Sequence, residues 1–280
     1  MELLPVELIR VNQQKIAEIE GLTKQLYRLI IFSRLHYDDD LLESYVSQMN
    51  DLKELVSIKN AQMEAQTEEE GVRYLAQLRI ALDFVFAEIG RHRPFDRELQ
   101  CFQLFRLISP ESYATHPNRY RDTLVQVGAH LCPEPRRVPQ LMSELFFRLE
   151  SISNSIVRAI YFHHELVRIH PFVDGNGRVA RIGKNWILLH DLYPPIFIKD
   201  AANKKKYVSS LSLSFRELMD HPGQWNRFTE DFFEQEVDLL LESTSLLYEN
   251  VNRLGLSRKQ PLASDSLPLD GVPCASPCQP

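Results

Sequence analysis

Apolar residues recur at helical spacing through residues 7–35, 41–89, 97–108 and 138–169, and again over 225–254. A 3.6-residue apolar period sustained over stretches this long commits a chain to amphipathic helices packed against one another. Glycine, which weakens helices, occurs only 10 times in 280 residues, so little in the chain opposes that pattern. An all-α fold is expected. With 44% hydrophobic and 25% charged residues, the chain can bury a substantial core. In the stretch that ends at residue 169, Ile156, Ile160, His163 and Val167 share one face, as a core-facing helix requires.

The exceptions to helix are short. Residues 118–128 (NRYRDTLVQVG) place Leu124, Val125 and Val127 before Gly128, which predicts a short β-hairpin. Pro133, Pro135 and Pro139 then punctuate a loop, and residues 193–198 (YPPIFI) form a second non-helical bridge. The expected organisation is an N-terminal helical region over 1–95, a core over 96–240, the end of a C-terminal helix over 241–255 and a tail over 256–280. The tail is rich in Pro and Ser with few large apolar residues, so it cannot offset its ordering entropy by burial and is expected to be disordered.

Composition narrows the function classes. Lys and Arg number 32 against 38 Asp and Glu, a formal charge of -6, which offers no whole-chain attraction to a nucleic-acid backbone. No nucleic-acid partner is expected. The opening residues carry no basic segment followed by an apolar run, and no later stretch is long and uncharged enough to cross a bilayer, so a soluble, cytoplasmic protein without membrane contact is expected. Cys101 and Cys132 lie in or near apolar segments, and Cys274 and Cys278 lie in the tail, a distribution that indicates neither a disulfide framework nor a zinc site.

One segment, residues 170–181 (HPFVDGNGRVAR), gathers a titratable base, a carboxylate, two glycines and two arginines within twelve positions. Gly175, Asn176 and Gly177 can adopt positive φ and turn backbone N–H groups into one concavity, as a phosphate-binding nest does. A helix is expected over 179–189, and its N-terminus would face the same anion. Arg178 and Arg181, three apart on its first turn, would donate paired bonds to terminal phosphate oxygens. Asp174 offers a hard oxygen ligand, and Mg²⁺ is commonly held by one or two carboxylates with phosphate and water. His170 is placed to take a proton from a hydroxyl attacking the α-phosphorus, and an imidazole of ordinary pKa, about 6.5, is a usable base at neutral pH. Phe172 would point away from the anion and anchor the loop in the core.

A lone GNG run is usually only a turn. The whole pattern H-x-F-x-[DE]-G-N-G-R-x-x-R fixes eight positions, and its chance appearance in one chain is on the order of one in ten million. Other polar residues read more plainly. His163 and His164 are packing or surface residues; Lys204, Lys205 and Lys206 form a solvated helix face, and the acidic runs 38–40 and 68–70 face solvent.

The segment 170–181 meets every specified position of the signature of the Fic (filamentation induced by cAMP) domain family, which the chain resembles. The likeness continues through Arg119, Tyr120 and Arg121, residues 193–198, Lys206 with Tyr207, and Trp225 with Phe228 and Phe232. It covers roughly residues 50–240. The resemblance implies an all-helical core with a β-hairpin flap, here 118–128, and transfer of AMP from ATP, with Mg²⁺, to a Tyr, Thr or Ser hydroxyl of a target protein. It assigns His170 as the base, Asp174 to the metal, Gly175, Asn176 and Gly177 to the anion hole, Arg178 and Arg181 to the outer phosphates, and Tyr207 to the neighbourhood of the adenine. The target would dock by strand addition on the flap. A homodimer is left open.

Many members of the family are held inactive by a glutamate in the pattern [ST]-x-x-x-E-[GN]. The nearest match is residues 60–65 (NAQMEA), with Asn60 for Ser or Thr and Ala65 for Gly or Asn; residues 67–71 are one residue too short. Glu64 is thus expected to reach Arg181 and restrain ATP. Alternatives on the same scaffold are another nucleotide donor, removal of AMP with water positioned by Glu64, or a nucleotide-binding interaction module without catalysis.

Overall fold

The structure, a computed structural model, describes residues 1–35 and 39–257, with side chains for all of these except 32–42, 44 and 254–257. The described residues form ten α-helices: α1 (Gln13–Leu35), α2 (Asp39–Glu64), α3 (Glu68–Gly90), α4 (Glu98–Ile108), α5 (Pro110–Thr115), α6 (Val138–Ser151), α7 (Ser155–Ile169), α8 (Asn176–His190), α9 (Ala201–Asp220) and α10 (Arg227–Ser257). A two-stranded antiparallel sheet, β1 (Gln126–Val127) and β2 (His130–Leu131), pairs Gln126 with Leu131 and Val127 with His130. The fold is all-α with one small hairpin, as the apolar periodicity requires.

Two of the long periodic stretches, 41–89 and 138–169, are each broken once. Between α2 and α3 the chain leaves the helix at 65–67, where the Thr67 side chain accepts from the Glu70 amide and Glu70 reaches back to the Gln66 amide. Between α6 and α7 the break lies at 152–154, and Asn154 caps α7 by accepting from the amides of Ile156 and Val157. The hairpin also departs from its expected bounds. Residues 118–125 lie outside the ladder, which is built from 126–131 around Gly128 at φ 59°. Only the last three residues of the 118–128 segment therefore take part, and the partner strand is His130–Leu131.

At the centre of the fold, α7 and α8 are buried on almost every face: residues 159–169 and 178–189 are all buried. Trp186 of α8 is fully buried; it meets Phe84 of α3 edge-on at 5.7 Å and Phe95 at 5.3 Å, and its indole N–H donates to the Arg93 carbonyl. This fixes α3, and α2 packed on it, against the helix that carries the motif. On the other side, Lys184 of α8 and Glu236 of α10 form an ion pair with both side chains buried, a geometry tolerated only where the charges are closely matched. Leu26 of α1 packs with Leu247 and Val251 of α10, closing the N-terminal helices onto the C-terminal one. No helix among the described residues is long and apolar enough to cross a membrane. The tail, with Cys274 and Cys278, lies outside the described residues from 258 onward.

Candidate active site

His170 is the residue that ends α7. It sits in the left-handed region, φ 53° and ψ 61°, and its amide closes the helix on the Leu166 carbonyl. A non-glycine residue in this conformation costs on the order of 1–2 kcal/mol, so the surroundings must hold it there. Arg121 does so. Its buried guanidinium donates to the carbonyls of His170 (2.7 Å), Pro133 (2.6 Å), Thr123 (2.7 Å) and Ile169 (3.4 Å), and its amide donates to the Pro171 carbonyl.

The imidazole Nδ1 lies 3.4 Å from the Val167 carbonyl, which favours the proton there and leaves Nε2 as the acceptor. Burial pushes the imidazole down to about 4, with the charges of Arg121 and His130 acting in the same direction. This is well below the ordinary value assumed on sequence grounds. The ring is therefore neutral at pH 7, and negative charge bound beside it would raise its basicity.

Past His170 the loop is tied by its own side chains. Phe172 is fully buried, stacked on Phe105 at 4.4 Å between ring centres and packed on Phe102 and Tyr120. Asn176 clamps Phe172 reciprocally, its Oδ1 accepting from the Phe172 amide and its Nδ2 donating to the Phe172 carbonyl, both at 2.8 Å. The two glycines divide their work. Gly175 takes φ 73° as the N-cap of α8, whereas Gly177 does not have positive φ and lies inside the helix, which starts at Asn176 rather than Val179. At 177 the glycine leaves room for the Glu64 contact: a Cβ there would lie 2.5 Å from Glu64 Oε1 and 3.0 Å from Arg181 Nη1, so a side chain would have to displace the Glu64 carboxylate.

Glu64, the last residue of α2, thus lies on the anion loop. Its Oε1 accepts from Arg181 Nη2 at 2.7 Å and its Oε2 from Arg178 Nε at 2.9 Å. Asn60, one turn earlier, accepts from Arg181 Nε and donates its own Nδ2 to the Val56 carbonyl. Arg178 is 1% exposed. It also donates to the Ile108 carbonyl (3.0 Å), Ser109 Oγ (3.2 Å) and Asp174 Oδ2 (2.9 Å), and its guanidinium lies 4.0 Å above the Tyr74 ring. Both arginines therefore have their charge answered by protein groups in this state.

Asp174 stands at the mouth of the site with its side chain half exposed. Burial raises its carboxyl, but Arg178, the Ser109 hydroxyl and the Gly175 amide outweigh that and hold it below its ordinary value. It is ionised at neutral pH. Among the described residues no three His, Cys, Asp or Glu side chains gather closely enough to share a metal, so a hard cation here would rest on the single Asp174 carboxylate together with phosphate and water, a donor set that suits Mg²⁺.

Residues 98–188 match the model described as the Fic/DOC family. The chain carries a Fic domain. The protein adenylyltransferase Fic of Drosophila persimilis is 36% identical over 139 residues, 48% of this chain and 27% of that protein; the chain spans about a quarter of the length of this curated relative. Among solved structures, a Fic domain containing signaling protein from Bacteroides thetaiotaomicron matches with a TM-score of 0.63 at 20% identity, over 83% of this chain and 97% of that one. IbpAFic2 in complex with adenylylated Cdc42 matches with a TM-score of 0.50 at 17% identity, over 84% of this chain and 71% of that one. At these identities the structural likeness is one of fold.

Around the Fic motif the remaining residues fall as follows. Tyr207 of α9 is 5% exposed, with its hydroxyl 3.0 Å from His163 Nε2 and near the Arg181 charge. It is thus a neighbour of the second arginine within the core. His163 and His164 are fully buried packing residues; His164 bonds Glu165 and Ser214. Lys205 and Lys206 are exposed and Lys204 partly so, while Glu68 and Glu69 are exposed. The side chains of the acidic run at 38–40 lie outside those described. Sequence reasoning assigned no role to Ser109, Arg121 or Tyr74. Only Arg121 left a trace, inside the Fic-like run Arg119, Tyr120, Arg121.

Proposed function

We propose that this Fic domain makes the chain a protein adenylyltransferase, moving AMP from ATP to a Tyr, Thr or Ser hydroxyl of a protein target, with Glu64 as its restraint. The observation that carries this reading is the seat of the Glu64 carboxylate, which rests on Gly177 between Arg178 and Arg181. An anion already fills the cradle where outer phosphate oxygens would lie. Displacing Glu64 would free both guanidiniums for the triphosphate.

In this reading His170 Nε2, neutral at pH 7, takes the proton as the hydroxyl oxygen bonds to the α-phosphorus and pyrophosphate leaves. Asp174 holds Mg²⁺, which when bound supplies charge neutralisation at the phosphates. Arg121 fixes the backbone of His170 by gripping its carbonyl and ties it to the base of the hairpin. The ladder at 126–131 offers backbone groups for a target strand. A protein target is supported at the level of the fold by the neighbour in complex with adenylylated Cdc42, and AMP as the group moved by the name of the Drosophila relative.

The test is label transfer from α-³²P-ATP with Mg²⁺ into proteins of a lysate and into the chain itself, using the wild type, Glu64→Gly, and Glu64→Gly with His170→Ala. Glu64→Gly should label at least tenfold more than wild type, and adding His170→Ala should remove the signal, since loss of a positioned base is worth roughly 10²–10⁴ in rate. Undiminished labelling without the imidazole would end the transferase reading.

A further inference from the structure

Ser109 lies at the corner between α4 and α5, 65 positions before Asp174 in the chain, yet its hydroxyl donates to Asp174 Oδ2 at 2.8 Å. It is 2% exposed. The same Oδ2 accepts from Arg178 Nη2 at 2.9 Å, and Arg178 Nη2 also donates to Ser109 Oγ at 3.2 Å. Hydroxyl, carboxylate oxygen and guanidinium nitrogen thus close a three-membered polar ring. The neighbouring loop is shaped to admit it, since a Cβ on Gly175 would lie 2.6 Å from Ser109 Oγ.

The ring is one-sided. Both side-chain bonds fall on Oδ2, and among the described residues no side chain is bonded to Oδ1. The side chain of Asp174 is 50% exposed while that of Arg178 is 1% exposed, so the carboxylate is gripped by two buried donors and still reaches solvent, with the Gly175 amide also acting on it. An aspartate free to turn about its terminal torsion would present either oxygen in a range of orientations. Two donors on a single oxygen remove that freedom.

We infer that Ser109 is a positioning residue: it clamps Oδ2 of Asp174 and so leaves Oδ1 as the oxygen offered to a divalent cation. This rests on the reading of Asp174 as the metal ligand. Groups that orient a ligating side chain typically affect metal affinity by about 10–100-fold, although they touch neither the metal nor the substrate. Arg178 shares the clamp but belongs to the phosphate cradle, so Ser109 is the member whose loss isolates the aiming of the carboxylate.

The experiment measures the affinity of a non-hydrolysable ATP analogue by calorimetry, with and without Mg²⁺, in the full chain carrying Glu64→Gly. Its reading is the Mg²⁺-dependent gain in affinity, alongside the thermal midpoint of each variant. Asp174→Ala should abolish the gain. Ser109→Ala should cut it by about tenfold and leave the Mg²⁺-free affinity unchanged, with Ser109→Cys, a weaker donor of similar size, falling between. A full gain in Ser109→Ala, or an equal loss with and without Mg²⁺, overturns the positioning role while the metal reading of Asp174 stands. A gain that survives Asp174→Ala overturns both.

Discussion

Glu64 is 29% exposed on its side chain, yet it answers two guanidiniums that are 1% and 6% exposed. Its removal has opposite effects on stability and on ligand response. Losing one partner of a buried pair costs about 3–5 kcal/mol, and partial exposure together with the remaining bond from Arg178 to Asp174 reduces this to roughly 2 kcal/mol. For a chain of this size, Glu64→Gly should lower Tm by about 4–8 °C. The emptied cradle then becomes a better host for polyphosphate, so Mg-ATP at a hundred times its Kd should return about 2.7 kcal/mol. The wild type must first displace its own carboxylate and should respond less. Differential scanning fluorimetry with and without Mg-ATP checks this, and equal shifts in the two proteins would remove Glu64 from the nucleotide site.

At the scale of elements, the junction between the hairpin and the end of α7 depends on one side chain. Arg121 spans the carbonyls of Thr123, Pro133, Ile169 and His170 with a single buried fork, a pattern that lysine cannot copy. Arg121→Met should cost on the order of 3 kcal/mol, because buried carbonyls are left without donors. It should also speed hydrogen exchange at residues 122–134 and at the His170 amide. Urea unfolding and exchange mass spectrometry test this, and unchanged exchange at His170 would refute the coupling. Such long-range junctions are what periodicity hides. The helices were legible because their apolar faces repeat, and the Thr67 cap followed by Glu70 is itself a readable N-terminal signal. The motif at 170–181 was legible as chemistry because its base, acid and arginines are contiguous. Ser109, Tyr74 and Arg121 were not, since they enter the site from other elements and no local pattern records which loop a distant serine will meet. The shift of the hairpin to 126–131 has a similar origin: a ladder of two residue pairs carries too little alternation to set its own bounds.

Across the whole molecule, the packing of α7 buries histidines as neutral groups. Burial lowers His163 well below its ordinary value, and it lowers His164 and His130 as well, despite the favourable contact of His164 with Glu165; His170 falls to about 4. These groups are spread from the core between α7 and α9 to the hairpin, so their protonation bears on the entire fold. The sign is set by which state binds the proton. Above the unfolded value of about 6.5, folded and unfolded chains are both neutral at these positions and the fold keeps its full stability. As the pH falls below 6.5, the unfolded chain takes up protons that the folded one refuses. Each such histidine then removes up to about 1.4 kcal/mol per pH unit, until the folded group protonates in turn, for His170 at about 4. Glu165 adds to the loss further down: burial opposes its ionisation, but Arg168 and His164 hold it at about 2, so its contribution is present above its unfolded value and disappears as the pH falls through 2. Urea midpoints measured from pH 8 to pH 4.5 should therefore be level down to about 6.5 and fall steeply below it. His164→Gln, which keeps a polar side chain between Glu165 and Ser214 without a titrating ring, should make that slope shallower by close to one proton. A wild-type profile that stays level to pH 5 would mean that the imidazoles of α7 are not held neutral by the core.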